Sequence, residues 1–159
     1  MIAGPEGSRT AEHIKSALVK GLAQNKLRPF PVLHCDYRID AGASAVKAIL
    51  AAPEMPTVIF CGSDLIAMGA MSALEEAGVR VPEEVSVVGI DNIAFASLAR
   101  PSLTTINVPR EDLGRTAFLA LEKMMQLKRR KGAEYIVETE LVVRQSTAQA
   151  SEKRRTKTK

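Results

Sequence analysis

Cysteine and aromatic residues are scarce in this chain of 159 residues, which has two cysteines, no tryptophan and 4% aromatic residues. This composition excludes a disulfide-stabilised scaffold. Cys35 and Cys61 match neither a C-x-x-C motif nor a zinc-ligand spacing, and His13 and His34 are too scattered to complete a metal site. We predict buried, reduced thiols and no metal or cofactor. A disulfide would require neighbouring strand ends and an oxidising compartment.

Long apolar runs and catalytic motifs are also absent from the sequence. No run approaches the ~20 apolar residues of a membrane-spanning helix, and the N-terminus MIAGPEGSRT lacks the features of a signal peptide. The chain contains no G-x-x-x-x-G-K-[ST], G-x-G-x-x-G, G-x-S-x-G or H-E-x-x-H motif. The sequence therefore predicts a cytoplasmic protein that is not an enzyme and has no membrane partner.

The net positive charge is confined to the C-terminal end. The last nine residues, SEKRRTKTK, have five basic and one acidic side chain, which accounts for the whole net charge of +4. Residues 1–150 contain 17 basic and 17 acidic side chains, so the body of the chain is neutral, unlike a domain that binds nucleic acid. We predict a basic, disordered tail over 148–159, with weak, nonspecific contact with an anionic partner as the alternative.

Short apolar runs alternate with amphipathic stretches, a pattern typical of βαβ units. The predicted fold class is α/β with a Rossmann-like, mostly parallel sheet. Strands are predicted at 1–3, 31–35, 57–61, 85–90, 103–108 and 135–143, with a short irregular stretch before the fifth. Helices are predicted at 10–24, 41–52, 64–77 and 110–128, the second capped by Asp40 and the third ended by Gly78. The apolar run TVIFC at 57–61 predicts a strand covered on both faces.

Polar or aromatic side chains follow the ends of the predicted parallel strands. In an open α/β sheet these ends share one edge, where the following helices present unpaired backbone N–H groups. We predict a ligand site at this edge, made from Ser8, Thr10, Asp36, Tyr37, Ser63, Asp64 and Asp91. Hydroxyls and carboxylates beside one aromatic ring suit a hydroxylated ligand or a heterocycle. A polyanion would need several basic residues, and only Arg9 is available.

Structural roles are the alternatives for these residues. The positions that fit helix N-caps are those of Ser8, Thr10, Ser63 and Asp64. Tyr37 would also fit the edge of the core. Asp91 follows the apolar run VSVVGI, where a carboxylate without a partner would be partly desolvated, so a ligand contact is favoured over a loop or helix cap.

An ordered series of motifs runs through residues 57–117. It includes Ser63-Asp64, the run AMGA at 67–70, GVRVP at 78–82, VSVVGIDN at 85–92, Pro101 followed by LTTI at 103–106, and Leu113-Gly114. Together these residues resemble the carboxyl-terminal part of the LacI/GalR family of transcriptional repressors, most closely its purine-repressor-like members. Weaker similarity extends to residues 2–5 and 144–147, so the resemblance covers nearly all of the chain.

The resemblance implies a type I periplasmic-binding-protein-like fold in which two lobes close on a small effector. Residues 1–108 would be the C-terminal lobe, incomplete at its N-terminus, with effector contacts at Asp91, Ser63, Tyr37 and the 8–10 loop. It also implies a homodimer with the helix 64–77 and the segment 94–107 near the subunit contact. The function implied is effector sensing and dimerisation in a transcriptional regulator that binds a sugar, nucleoside or purine. Operator DNA would bind only through a helix-turn-helix headpiece that this chain does not contain.

Two departures from the family pattern accompany the resemblance. Many members place an effector-gripping Arg where this chain has Ile14, and Asn is common at the Ser63 position; the missing guanidinium removes a charge-assisted contact. Residues 109–147 would cross to a first lobe that is absent here. We therefore predict that the helix 110–128 and the strand 135–143 either self-associate or fold onto their own lobe.

Two other classes of protein fit a fold of this kind. A periplasmic-type sugar-binding transport protein would have an export signal and be a monomer, and an α/β enzyme fragment would have a catalytic constellation. The missing signal and the repressor-like VSVVGIDN and LTTI runs weigh against the transport protein, and no catalytic constellation supports the enzyme.

Overall fold

A computed structural model of the chain describes residues 1–28, 30–126 and 133–150. Its strands are β1 (Ile2–Ala3), β2 (Leu33–His34), β3 (Val58–Phe60), β4 (Ser86–Asp91), β5 (Thr104–Asn107) and β6 (Glu140–Val142). Its helices are α1 (Arg9–Gln24), α2 (Ile39–Leu50), α3 (Asp64–Glu76), α4 (Ala94–Leu98) and α5 (Arg110–Gln126). Over these residues, no helix has the length and apolar character that crossing a bilayer requires.

The strands form a mainly parallel sheet. β1 pairs with β2, and β3, β4 and β5 pair in sequence, all in parallel, while β6 runs antiparallel to β5. A parallel bridge between Ile2 and Cys61 joins the two parts, so the order is β2-β1-β3-β4-β5-β6. The strand order reverses between β1 and β3, which opens a crevice at their carboxyl ends. The predicted α/β class with a parallel sheet is confirmed.

The main core lies between the sheet and the helix pair α2 and α3. Its large, fully buried side chains include Ile2, Val46, Ile59, Ile66, Leu74, Val87 and Leu103. Glycine allows the two helices to approach closely. A Cβ at Gly69 would overlap the Ile39 carbonyl oxygen, and one at Gly42 would overlap the Ile66 carbonyl oxygen. This packing fixes α3, and with it the loop that follows β3.

The helices α1 and α5 are packed much less tightly. In α1 the buried residue is Ala11, and in α5 none of the described residues is buried. The side chain of Phe118 is 67% exposed, and that of Ile136, in the segment after α5, is 89% exposed. The apolar side chains of α5 are therefore largely exposed in the single chain, whereas β6, the other element of that prediction, pairs with β5.

Most predicted elements are confirmed with ends within two residues, and Gly78 follows the end of α3 with φ +73°. Two local predictions are wrong. The N-cap of α2 is Arg38, without a side-chain cap, because Asp40 lies in the first turn and pairs with the Arg38 guanidinium at 2.6 Å. The strand β3 is not covered on both faces, because Val58 is 46% exposed beside a helix α1 that packs loosely.

Two further predictions, both for residues between 91 and 143, differ from the structure. The stretch before β5 contains the short helix α4, whose N-cap residue Ile93 has no capping side chain and gives no sequence signal. The strand predicted at 135–143 is limited to β6, because only Thr105 to Asn107 of β5 pair with it. Tyr135 and Val137 instead line a hollow beside α5.

The cysteines and the C-terminal segment complete the fold. Both cysteines are free thiols; Cys61 is buried as predicted, whereas Cys35 is only half-buried. The hydrogen-bonded body extends into the predicted tail, because the Ala148 N–H donates to the Ser86 hydroxyl at 3.2 Å. The rest of that predicted tail, 151–159, and the predicted helix end at 127–128 lie outside the described residues.

Candidate ligand site

A cavity of about 780 Å³ lies between α1 and the carboxyl ends of β3, β4 and β5. Its volume falls within the range of roughly 300–1,000 Å³ typical of small-molecule sites. The side chains with polar groups that line it are those of Ser8, Thr10, Tyr37, Ser63, Asp91 and Thr139. Five of the seven predicted site residues therefore surround one hollow, although three different loops, the helix α1 and a strand end supply them.

Asp91 ends β4 in an unusual backbone conformation. Its φ is +114° and that of Asn92 is +52°, a region that residues other than glycine seldom adopt. Two arginines hold this turn from later segments of the chain. The Arg110 guanidinium donates to the Asp91 carbonyl at 2.8 Å, and that of Arg144 donates to the Asn92 side-chain oxygen at 2.7 Å. The turn places Asp91 at the cavity wall.

The Asp91 carboxylate has an unusual electrostatic environment. Burial raises the pKa of Asp91 above its ordinary value, and the charge of Asp64 raises it further, while Arg110 opposes both effects. The Arg110 guanidinium donates its hydrogen bonds to backbone carbonyls. No residue in the described ranges donates a hydrogen bond to the Asp91 carboxylate itself. The carboxylate is therefore a partly desolvated acceptor that is open to a ligand.

Tyr37 packs against the core and also lines the cavity. Its ring lies against Gly4, where a Cβ would overlap the ring atoms. The sequence allowed either a core-edge ring or a ligand contact at this position, and the structure shows that the two roles are compatible. Gly4 is thus a residue that the site requires and that spacing alone does not reveal.

Ser8 and Ser63 are helix N-caps and line the cavity as well. The Ser8 hydroxyl accepts from the Ala11 N–H at 3.4 Å, and the Ser63 hydroxyl accepts from the Ile66 N–H at 3.2 Å. Each hydroxyl still has a proton that it can donate to a ligand. Thr10 is the second residue of α1 and lines the same cavity.

Asp64 and Asp36 do not line the cavity. Asp64 is fully buried; its carboxylate accepts from the Thr105 hydroxyl at 2.5 Å and from the Ile93 N–H at 2.9 Å. Burial raises the pKa of Asp64, and the hydrogen bond from Thr105 opposes that shift. Asp64 thus connects α3 to β5 and to the start of α4, whereas Asp36 lies exposed before α2.

The sequence did not identify the apolar part of the wall. The residues concerned are Ile14, Ala17, Leu18, Phe60, Gly62, Leu65, Ile90, Ile106 and Val108. Side chains alternate along a strand, so Phe60 and Ile90 lie on the face opposite to the core residues Ile59 and Val87. That alternation is the signal from which these positions could have been found.

The fold and cavity define a class of protein: an open, parallel α/β domain, which binds ligands beyond the carboxyl ends of its strands. The family model of the periplasmic binding protein-like domain matches residues 1–147. The HTH-type transcriptional repressor PurR of Erwinia tasmaniensis is 38% identical over 142 residues, which cover 89% of this chain and 41% of PurR. The HTH-type transcriptional repressor CytR of Escherichia coli K12 is 35% identical over 148 residues, which cover 92% of this chain and 43% of CytR.

Solved structures show the same relationship. The lac repressor dimer bound to operator and the anti-inducer ONPF superposes with a TM-score of 0.86 at 32% identity, over 92% of this chain and 51% of the repressor chain. A complex of the transcriptional regulator CelR with cellobiose superposes with a TM-score of 0.85 at 30% identity, over 91% and 45% of the two chains. The chain belongs to the periplasmic binding protein-like domain family, in the form found in LacI-type transcriptional regulators, and spans less than half the length of these curated relatives.

Proposed function

We propose that the chain is the effector-binding and dimerisation region of a LacI-type transcriptional regulator, acts in the cytoplasm and is not an enzyme. The observation that carries the proposal is the meeting of Tyr37, Ser63 and Asp91 around one cavity. The relatives are transcriptional repressors, and a neighbouring regulator was solved with cellobiose. The proposed effector is a small molecule of the sugar, nucleoside or purine type.

Each polar residue of the cavity has a defined role in this proposal. The Asp91 carboxylate accepts hydrogen bonds from ligand hydroxyl or N–H groups, because no protein donor occupies it in the described residues. The Tyr37 ring offers a surface on which a sugar or base stacks. Ser8, Thr10 and Ser63 supply hydroxyl groups at the N-terminal ends of α1 and α3, which fix the orientation of the ligand.

Regulation would follow from a population shift in the whole regulator. An effector that binds one arrangement of the regulator better than another favours that arrangement. If operator affinity differs between the two arrangements, the effector changes DNA binding by the same coupling free energy. Arg110 joins the Asp91 turn to α5, where Phe118 and Met125 are 67% and 72% exposed, and Arg144 joins it to the segment after β6.

A thermal-shift screen with sugars, nucleosides and purines tests the proposed ligand site. A compound at 100 times its Kd stabilises the folded chain by about 2.7 kcal/mol. We expect Asp91→Ala to weaken binding of any stabilising compound at least tenfold, measured by calorimetry. The matched control is Asp36→Ala, because Asp36 is an exposed carboxylate that does not line the cavity. A stabilising compound that binds Asp91→Ala with unchanged affinity would refute the site assignment.

We propose that the chain dimerises through a surface formed by α4 and the rest of the segment 94–107. Phe95 and Leu98 on α4 are 62% and 66% exposed, and they lie in the segment 94–107. The alternative surface is α5, where Phe118 is 67% exposed. We expect light scattering to show a dimer that Leu98→Glu dissociates and Phe118→Glu does not. If Phe118→Glu dissociates the dimer and Leu98→Glu does not, the dimer contact lies on α5. A monomeric wild-type chain would contradict both dimer contacts.

A further inference from the structure

The cavity has two chemically different parts. Part of its wall is polar and includes the side chains of Tyr37, Ser63 and Asp91. The apolar part, formed by α1 and the strands, has the aliphatic and aromatic side chains of Ile14, Leu18, Phe60, Ile90, Ile106 and Val108. A small, fully hydroxylated ligand that filled this cavity would place some of its hydroxyl groups against apolar side chains, where they find no hydrogen-bond partner.

The charge of the cavity is also one-sided. Asp91 is the charged group among the described residues that line it, and no basic side chain of those residues lines the wall. The guanidinium of Arg110 is directed to the backbone carbonyls of Asp91 and Asn92 rather than to the cavity. Ile14 places an aliphatic group on the α1 side. An anion would therefore meet the Asp91 carboxylate in the cavity, while the nearby cation, Arg110, acts from outside the wall and is already hydrogen-bonded to backbone carbonyls.

We propose that the ligand is an amphipathic molecule that joins an uncharged or cationic hydrogen-bond donor to an apolar group of about the size of one ring. The donor binds Asp91, and the apolar group lies between α1 and the strands, against Ile14 and Phe60. The Asp91 carboxylate disfavours phosphorylated and carboxylated compounds. This inference rests on the proposed ligand site and names the chemical class of its ligand.

Three small probes with the same ring test the inference on the complete chain: benzyl alcohol, benzylamine and benzoate. Each is titrated while NMR follows the amide and side-chain resonances of Ile14, Ile90 and Ile106. We expect benzyl alcohol and benzylamine to bind at least tenfold more tightly than benzoate. Ethanol, which lacks the ring, is expected to bind at least tenfold more weakly than benzyl alcohol. Benzoate binding as tightly as benzylamine, or no probe shifting these resonances, would overturn the inference.

Charge changes inside and outside the cavity make the test specific. Ile14→Arg adds a guanidinium to the wall, and we expect it to reverse the preference so that benzoate binds at least tenfold better than benzylamine. Val19→Arg adds the same group to α1 at a residue that does not line the cavity, and the wild-type preference is expected to persist. A preference for benzylamine that persists in a folded Ile14→Arg chain would contradict the inference.

Asp91→Asn provides a second variant that keeps the shape of the side chain. We expect it to remove the discrimination between benzylamine and benzoate, because the charge that attracts the amine and repels the acid is gone. Retained discrimination would show that Asp91 does not select the ligand. The proposed function has its own test and is contradicted when no sugar, nucleoside or purine binds in an Asp91-dependent way. The order of affinities of the three ring probes tests only the ligand class.

Discussion

The guanidinium of Arg144 donates one hydrogen bond to the Asn92 side-chain oxygen and another to the Leu103 carbonyl, both at 2.7 Å. These bonds join the segment after β6 to the turn after β4, 52 residues earlier in the chain. Asn92 also donates to the Asn107 side chain at 3.1 Å. The backbone conformation of Asp91 and Asn92 therefore depends on residues that are distant in sequence.

Arg144→Met is expected to destabilise the chain by about 1.5–3 kcal/mol, because two hydrogen bonds from a charged donor are lost. Ligand affinity should also fall, since the turn that holds Asp91 loosens. Arg100→Met is the matched control, because Arg100 donates to the carbonyls of Leu98 and Ala99 close by in sequence. Urea unfolding measures the stability. Equal effects of the two substitutions would show that the long-range bonds contribute nothing.

Asp64→Asn tests the buried carboxylate. An amide in its place cannot accept from both Thr105 and Ile93, so we expect a loss of about 1–3 kcal/mol in the free energy of unfolding. Thr105→Val removes one donor and nearly keeps the volume. In a double-mutant cycle the two losses should be less than additive, because they share one hydrogen bond. Full additivity would mean that the two side chains do not interact in solution.

Asp91 and Asp64 both contribute to the pH dependence of stability with the same sign, because the pKa of each is raised by burial. Burial raises the pKa of Asp91 above its ordinary value of 3.8, so the folded state binds this proton more tightly than the unfolded state. The corresponding contribution to stability is present at low pH and is lost as pH rises through the folded pKa.

Asp91→Asn should therefore raise Tm at pH 7 and flatten the stability profile between pH 4 and 7. Thermal unfolding across this range compares the variant with the wild type. A variant less stable than the wild type at pH 7 would be inconsistent with a destabilising carboxylate in the cavity. Such a stability gain, accompanied by weaker ligand binding, is typical of residues retained for function.

Two glycines should respond in opposite ways to the same change. Gly69→Ala would drive a methyl group into the Ile39 backbone, and we expect a loss of about 1–3 kcal/mol or more. Gly114→Ala adds a methyl group with no atom within 4 Å on the exposed helix α5, and we expect a gain of about 0.5–1 kcal/mol. Chemical denaturation of both variants gives the two values. A tolerated Gly69→Ala would refute the close approach of α2 and α3.

The local elements were predictable where a periodic pattern or a terminating residue marks them. The glycine after α3 and the hydroxyl groups before α1 and α3 fixed those helix ends within one residue. The helix α4 was missed because Ile93 is not a capping residue, and the strand at 135–143 was overpredicted because alternation does not show whether a partner strand is present. The prediction that Asp40 caps α2 was wrong, because aspartate is favoured both at the N-cap and in the first turn of a helix, and the local sequence does not distinguish the two positions.

The order of apolar runs and polar strand ends in the sequence determined the α/β class and brought Tyr37, Ser63 and Asp91 to one edge, because parallel strands end together. Burial and charge in the tertiary structure decided which of the strand-end side chains face the cavity. Asp64 and Asp91 are both aspartates that follow apolar strands, yet one binds Thr105 inside the core and the other faces the cavity. The hydrogen bond between Asp64 of α3 and Thr105 of β5 distinguishes them, and a sequence pattern does not show a contact between residues that lie 41 positions apart along the chain.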